Sequence, residues 1–262
     1  MATISPIASP PPAWKTPAIV AGLTLLSLAA AALLLPCPDP TTHGMRLTLC
    51  LLAVEAIALA VGVPLLASLP AGGSWARRLL AILLPVLASE LAAFVIILAA
   101  TRGAVSPLAL ALAQIFLLGF AFLLSAVVSL IAACGARRAT AQFVATGLAL
   151  AMLGSVFFAN ALVEAAEGES AKMSVINTVL WTNPWLIVGG SILEADPLRS
   201  ENLYSWSVII YYGFQYPAAA LGSPAARAAV ATLVYGIAGL LLEALDWLAL
   251  RIRRSRKAES AP

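Results

Sequence analysis

The sequence predicts an all-α fold, a polytopic membrane bundle of six transmembrane helices, and both its composition and its apolar runs lead to this prediction. Of the 262 residues, 62% are hydrophobic and only 10% are charged, whereas soluble domains carry about 25% charged residues. Six apolar runs reach or approach the length of about 20 residues with which a helix crosses the hydrocarbon core of a bilayer. Because water would solvate such a surface poorly, we expect the lipid bilayer to surround the chain.

The apolar runs and the segments between them divide the chain into five parts. Residues 1–16 form a short cytoplasmic Pro-rich arm, 17–162 carry transmembrane helices one to five, 163–224 form an extracytoplasmic loop, 225–250 form helix six, and 251–262 form a basic cytoplasmic tail. Clusters of Pro, Gly and Asp separate several of the spans. The predicted spans are, in order, Pro17–Leu35, Leu47–Leu69, Leu79–Ala100, Leu108–Cys134, Thr140–Leu162 and Ala225–Leu250.

The positions of Lys and Arg predict the orientation of the bundle, because cytoplasmic segments carry an excess of these residues. With a cytoplasmic N-terminus, ten of the 15 basic residues lie inside and five lie outside. The inner group is Lys15, Arg77, Arg78, Arg137, Arg138, Arg251, Arg253, Arg254, Arg256 and Lys257, and the outer group is Arg46, Arg102, Lys172, Arg199 and Arg227. The count predicts a multi-pass protein of the cell (inner) membrane with both termini in the cytoplasm.

The loop 163–224 departs from the simple pattern because it contains two apolar stretches of its own. The stretch Val175–Leu193 is interrupted by Asn183-Pro184 and Gly189-Gly190. It predicts a broken or re-entrant helix that other spans shield, since irregular backbone survives at membrane depth only inside protein; a fully spanning helix is the alternative. The aromatic stretch Leu203–Pro217 predicts an interfacial segment, where amphipathic rings settle at the headgroup level.

The residues around the fourth span resemble a known transporter family. Gly103 to Pro107 read Gly-Ala-Val-Ser-Pro, and Arg137 to Ala141 begin with a basic pair and continue with Ala and Thr. In these features, and in the apolar segments between spans five and six, the chain resembles the permeases of the ABC-2 type, the membrane subunits of type V ABC exporters. The resemblance implies an exporter with a separate cytoplasmic ABC ATPase subunit and a second permease copy or a homologous permease.

One loop departs from the family pattern. Between spans two and three the family carries a coupling helix that docks into the ATPase, whereas this chain has only the short loop Pro70–Arg78. The resemblance is therefore to a divergent member with a reduced coupling loop. It implies coupling roles for the residues at the cytoplasmic turns, namely Trp75, Arg77, Arg78, Arg137 and Arg138. Since the sequence contains no Gly-x-x-x-x-Gly-Lys-Ser/Thr loop, ATP would bind to the partner subunit.

Two carboxyl groups are predicted inside the spans, which makes them candidates for a translocation path. Glu55 lies in span two and Glu90 in span three. A carboxylate at that depth costs about 2.5 kcal/mol or more, so each should face the bundle or a cavity, either protonated or paired. Their functional interpretation is a polar lining of a substrate route or a pair that carries protons. A structural role, in which a protonated Glu bonds to a neighbouring helix, is the alternative.

Three further groups of polar residues have both a structural and a functional interpretation. Asn183, Pro184 and Trp185 could mark the end of a half-helix that gates the outer mouth, or simply a surface loop. Glu243 and Asp246 share one face of span six, and pairing with basic residues at the inner helix ends is the main interpretation. Gln114, Ser125 and Ser129, with Gly119, form a small and polar stripe on span four that favours close helix packing.

The sequence predicts a transport function without catalysis by this chain. The single His and three Cys residues are too few and too scattered for a zinc or haem site, and we expect no cofactor, no metal and no nucleic-acid partner. The main hypothesis is a permease subunit that exports an apolar or amphiphilic substrate. The alternatives are an ATP-independent carrier that couples to protons through Glu55 and Glu90, and a non-transporting membrane scaffold. The sequence leaves the cargo, the direction of transport and the composition of a dimer open.

Overall fold

The computed structural model of the chain describes residues 42–68, 75–101, 104–193 and 224–259, and within these ranges all regular structure is α-helical. Five of the helices are long and apolar enough to cross a membrane, which indicates a multi-pass membrane protein. The predicted first span Pro17–Leu35 and the aromatic stretch Leu203–Pro217 lie outside the described residues. The helices are α1 (Thr42–Ser68), α2 (Trp75–Ala100), α3 (Pro107–Ala133), α4 (Arg138–Ala165), α5 (Glu169–Thr182), α6 (Pro184–Leu193) and α7 (Pro224–Glu259).

The apolar parts of the five long helices coincide with predicted spans two to six to within a few residues. They are Leu47–Ala67, Leu79–Ala100, Pro107–Ala133, Arg138–Ala159 and Ala226–Ile252. Pro64 and Pro85 lie inside α1 and α2, where neighbouring helices and local adjustments can satisfy the carbonyl that each proline frees.

Helix α7 is longer than the predicted span, because it continues through the predicted basic tail as far as Glu259. No Gly or Pro interrupts residues 251–259, and positive charge is favourable at the C-terminal end of a helix. The guanidinium carbon of Arg251 lies 4.9 Å from the ring centroid of Trp247, one turn earlier on the same helix. This cation–π contact joins the apolar part of the helix to its basic end.

Helix α3 is the central helix of the bundle, because it packs against α1, α2, α4, α6 and α7. Its packing with α7 is the most extensive, and three contacts give the register. The rings of Phe116 and Tyr235 meet edge to face with centroids 5.1 Å apart, Gly119 faces Thr232, and Gly239 faces Phe122. From the Gly119–Thr232 contact to the Phe122–Gly239 contact the residue numbers rise on both helices, which indicates that α3 and α7 are parallel.

The remaining contacts define two ends of the bundle. Gly44 at the start of α1 lies against Thr101 and Ala104 at the end of α2, so α1, α3 and α7 begin, and α2 ends, at what we call the first end. At the opposite, second end a tight turn joins α3 to α4. There the N–H of Gly135 donates to the Ala132 carbonyl and that of Ala136 to the Ile131 carbonyl, as in a Schellman motif. Gly135 has φ 102°, a conformation that favours glycine.

Large apolar side chains cover the outward faces of α2, α4 and α7. Soluble proteins rarely expose a continuous apolar surface of this kind, whereas in a bilayer these faces contact lipid tails. The exposed residues are Leu80, Leu84, Leu87, Leu91 and Val95 on α2, Phe143, Val144, Leu148, Leu150, Phe157, Phe158 and Leu162 on α4, and Val230, Leu233, Val234, Ile237, Leu240, Leu241, Leu245, Trp247 and Leu248 on α7.

Candidate functional site

A cluster of three polar side chains lies inside the bundle where α1, α2 and α3 meet. Glu55 of α1, Glu90 of α2 and Gln114 of α3 are 1%, 3% and 6% exposed. The side-chain amide of Gln114 donates from Nε2 to Oε2 of Glu55 over 2.8 Å. At 1.5 Å per residue, the three residues lie roughly 10–15 Å along their spans from the first end. The cluster is therefore at membrane depth, in the half of the bundle nearer the first end.

The cluster holds more hydrogen-bond acceptors than donors. The carboxyl groups of Glu55 and Glu90 are neighbours, and two carboxyl groups can share a hydrogen bond only when one of them carries a proton. As carboxylates both groups only accept, and four buried oxygens then have no donor: Oε1 of Glu55, both carboxylate oxygens of Glu90, and Oε1 of Gln114. Buried polar atoms without partners are costly, so the site needs a proton or a cation.

Two residues of the cluster, Glu90 and Gln114, also belong to the walls of a cleft between α2 and α3. The cleft has a volume of about 270 Å³ and is lined by Leu87, Glu90, Leu91 and Phe94 of α2 and by Ala111, Gln114, Ile115 and Leu118 of α3. Leu87, Leu91 and Ile115 are exposed on the outside of the bundle, at the depth of the bilayer. The accessible walls are apolar, because the carboxyl oxygens of Glu90 and the Oε1 atom of Gln114 are themselves buried, so the cleft suits an apolar molecule.

A second polar centre lies at the break between α5 and α6, where Asn183 is completely buried. Its Oδ1 accepts hydrogen bonds from the N–H groups of Trp185 and Leu186 over 3.0 and 3.2 Å, which caps α6. Its Nδ2 donates to the Leu153 carbonyl over 2.8 Å and to Ser155 Oγ over 3.2 Å. The Asn183 side chain thus supplies a hydrogen-bond acceptor for two backbone N–H groups at the break and attaches the break to α4.

Two aromatic side chains attach the same break to other helices. The indole Nε1 of Trp185 donates to the Leu49 carbonyl of α1 over 3.2 Å. The hydroxyl of Tyr235 on α7 donates to the Thr182 carbonyl at the end of α5 over 2.9 Å. Asn183 and Pro184 are buried, Trp185 is half-buried, and the three residues predicted as an outer gate therefore lie in a hydrogen-bonded joint between helices. Whether this joint gates a path stays a prediction.

The break occurs at only one of the two interruptions of Val175–Leu193. Pro184 lacks an N–H group and disfavours helical backbone at the residue before it, and Asn183 has φ −86° and ψ 110°. Gly189 and Gly190 remain inside α6 and are buried. Helix α6 is buried along most of its length and packs against α1, α3 and α7.

The predicted coupling residues lie at starts of helices. Trp75, Arg77 and Arg78 belong to the first turn of α2, and the structure describes their backbone only. Arg137 is the N-cap of α4 and Arg138 is its first residue. Both arginine side chains are exposed at the second end, next to the Schellman turn, where a partner could contact them.

Three charged residues on α7 are buried, one near the start of the helix and two just past its middle. Glu243 and Asp246 are buried and neither lacks an interaction partner. Arg227, which the sequence analysis counted among the outer residues, is the buried basic residue near the start of the helix. Arg227 lies within the apolar part of α7, is 7% exposed, and its Nε has no hydrogen-bond partner.

Sequence reasoning missed how several residues combine. Gln114 was grouped with Ser125 and Ser129 as packing residues, and all three are buried within the bundle, but Gln114 also bonds to Glu55. Phe94, Tyr235 and the capping role of Asn183 were not predicted. The sequence signal that could have predicted this cluster is depth in the membrane. Glu55, Glu90 and Gln114 belong to three successive spans and lie at similar distances from the same end of the bundle.

Within the described ranges, no three His, Cys, Asp or Glu side chains are grouped closely enough to hold a metal ion. No model of a known protein family matches the chain, and neither a curated protein nor a solved structure matches it.

Proposed function

We propose that the chain is the permease subunit of an ABC-2-like exporter of the cell membrane, driven by a separate cytoplasmic ATPase and paired with a second permease. The observation that carries the proposal is the order of helices after α4. A long apolar helix is followed by two short helices that break at Asn183, and then by the long helix α7. The resemblance drawn from the sequence implies short helices at this place, between the fifth and sixth spans.

The buried position of α6 supports a re-entrant arrangement of the α5–α6 pair. Its backbone is irregular at Asn183, yet every polar atom of the Asn183 side chain is hydrogen-bonded and three long helices attach the joint. A pair of this kind, entering the bundle on the side away from the ATPase, would shape the exit for an apolar or amphiphilic cargo. In this arrangement the first end faces outward and both termini are cytoplasmic.

The exposed basic turn at the second end supports contact with a soluble partner. Arg137 and Arg138 begin α4 on a turn that is fixed by the Schellman hydrogen bonds. A rigid turn can transmit the movement of an ATPase to α3 and α4, whereas a loose one would absorb it. The first turn of α2, with Arg77 and Arg78, would contribute to the same surface.

The test is photo-crosslinking in the native host from the two ends of one helix. A photoreactive amino acid replaces Arg138 at the start of α4 or, as the matched control, Glu164 near its end. Both side chains are exposed, and they are separated by roughly 39 Å of helix. We expect Arg138 to capture a protein with a Walker A loop and ATPase activity, and Glu164 not to. Absence of such a protein from the Arg138 sample, or equal capture at both positions, would overturn the proposal.

A proton-coupled carrier is the second candidate, and the paired carboxyl groups of Glu55 and Glu90 favour it. Two adjacent buried carboxyl groups can share and release one proton, and transmembrane carboxylates commonly form proton relays. In this case transport continues without an ATPase and is lost in Glu90→Gln. If transport requires neither an ATPase nor Glu90, both candidates are wrong, and a scaffold role in a larger membrane complex is the remaining alternative.

A further inference from the structure

Basic residues mark the second end of the bundle on three of the five long helices. Arg77 and Arg78 directly precede the apolar part of α2. Arg138 is the first residue of the apolar part of α4, and Arg137 precedes it. On α7, residues 251–257 contain five basic residues and overlap the end of the apolar part. We call these basic residues the basic collar, and their charges lie where the apolar surface of each helix ends, which in a bilayer is the level of the headgroups.

The helices that carry the basic collar are the helices that face lipid. Exposed apolar side chains cover the outward faces of α2, α4 and α7, whereas α1 and α3 are the more buried of the five long helices. Within the described residues, neither α1 nor α3 has a basic residue in its last turn, which lies at the second end. The rule that predicts orientation counts basic residues on each side of the membrane and does not depend on which helix carries them. Their placement on the outer helices therefore favours a direct contact with headgroups.

Helix α7 shows how one cation of the collar is held at this level. The Trp247 ring is 55% exposed, and indole rings prefer the membrane–water interface. The guanidinium carbon of Arg251 lies over this ring, 4.9 Å from its centroid, and the Arg251 side chain is exposed. A guanidinium that lies on an aromatic face directs its N–H donors outward from its edge, and their geometry matches the oxygens of a phosphate. Trp247 thus positions a cation at the depth of the lipid phosphates.

The first end has exposed charges of the opposite sign. Among the side chains that the structure describes, Glu164, Glu167 and Glu169 are exposed where α4 ends and α5 begins. Lys172 is half-buried, with its Nζ 3.9 Å from Oε1 of Glu169, and Arg227 is buried. An anionic headgroup is therefore attracted to the second end and repelled from this part of the first end.

We propose that the basic collar binds the headgroups of anionic phospholipids and prefers them to zwitterionic lipids with the same acyl chains. The apolar faces of α2, α4 and α7 contact the acyl chains, while the arginines at the ends of these faces donate to the phosphates. The basic end of α7 supplies most of the charge. The inference goes beyond the proposed function, because it needs neither a cargo nor an ATPase, and a soluble partner can still contact Arg137 and Arg138 from the aqueous side.

The test measures energy transfer from one end of the protein to labelled lipids. A donor fluorophore is attached to Cys134, which is exposed at the second end, after Cys37 and Cys50 have been replaced by alanine. The full-length protein is reconstituted in phosphatidylcholine vesicles with a trace of acceptor lipid, either phosphatidylglycerol or phosphatidylcholine, labelled on the acyl chain. We expect phosphatidylglycerol to be enriched over phosphatidylcholine around the donor by about fivefold or more, since about fivefold is the effect of one arginine near an anionic surface.

Two controls leave every residue of the collar unchanged. In 1 M salt the Debye length falls to about 3 Å, so the enrichment should largely disappear. With the donor on Ser170→Cys instead, exposed near the start of α5 at the first end, phosphatidylglycerol should not be enriched. Equal enrichment at both ends, or enrichment that persists in 1 M salt, would overturn the proposal.

Two matched variants locate the site on α7. Replacing Arg251, Arg253 and Arg254 by glutamine removes three positive charges and keeps good helix formers, so the enrichment should fall. Replacing the same three residues by lysine keeps the charges and should preserve it. Enrichment in the glutamine variant equal to that of the original protein would overturn the proposal, and so would an equal loss in both variants. If a variant fails to insert, the salt and two-end comparisons decide, and the outcome is independent of the crosslinking test because no ATPase is present.

Discussion

Replacing Asn183 by alanine is the most direct test of the joint between α5 and α6. Alanine removes the side-chain cap of α6, at a cost of about 1 kcal/mol. It also removes the amide that donates to the Leu153 carbonyl over 2.8 Å, which contributes about 1 kcal/mol more. We therefore expect Asn183→Ala to lower the free energy of unfolding by about 2 kcal/mol.

A second substitution at the same position separates the two contributions. Asn183→Ser keeps an oxygen that can cap α6, since Ser and Asn are about equally good at this position, but loses the reach to Leu153. It should lower the free energy of unfolding by about 1 kcal/mol, half of the alanine effect. The measurement is equilibrium unfolding of the purified protein in mixed micelles, followed by circular dichroism as the denaturing detergent increases.

The matched control is Asn177→Ala, in the middle of α5. It removes the same type of side chain and leaves the four hydrogen bonds of Asn183 in place. Alanine is favourable inside a helix, so this change should stay within about 0.5 kcal/mol of the original protein. If Asn183→Ala unfolded at the same detergent fraction as Asn177→Ala, the hydrogen bonds at the joint would contribute nothing, and the argument for a fixed joint would be wrong.

Three further substitutions test the packing around the polar centres, each measured by the same unfolding assay. Tyr235→Phe keeps the ring and removes the hydroxyl bond to the end of α5, so we expect a loss of about 1 kcal/mol. Gly239→Val should cost about 1–3 kcal/mol, because a Cβ there would lie 2.6 Å from the Phe122 ring; additive effects with Phe122→Ala would contradict this contact. Gln114→Leu leaves the buried Glu55 carboxylate without its donor and should cost about 1–3 kcal/mol, and stability equal to that of the original protein would refute the bond.

Long helices could be predicted from the sequence because their cause is local. A run of about 20 apolar residues forms a helix in lipid whatever its neighbours are, since every backbone group must be bonded within the segment. The break before Pro184 also has a local cause, because proline disfavours helical backbone at the residue before it. Gly189 and Gly190 misled the prediction, because each costs only about 1 kcal/mol in a helix and the burial of α6 among α1, α3 and α7 compensates for it.

The site could be predicted only in part. That Glu55 and Glu90 face inward follows from their depth alone. Their contact with each other and with Gln114 depends on the rotation of three helices about their axes, and residues 55 and 114 are 59 positions apart. The apolar runs carry no periodic pattern that fixes such rotations, since lipid and protein interior are similar solvents for Leu, Val and Ala.

The close approach of Gly239 to Phe122 has a consequence for how the bundle can rearrange. Because the Phe122 ring fills the space that a side chain at residue 239 would need, α3 and α7 cannot slide past each other without losing that fit, and they should travel as one body. Helix α2 packs chiefly against α1 and α3, so it is the element that can swing. Widening of the cleft would therefore come from α2, with the α3–α7 pair as the fixed reference.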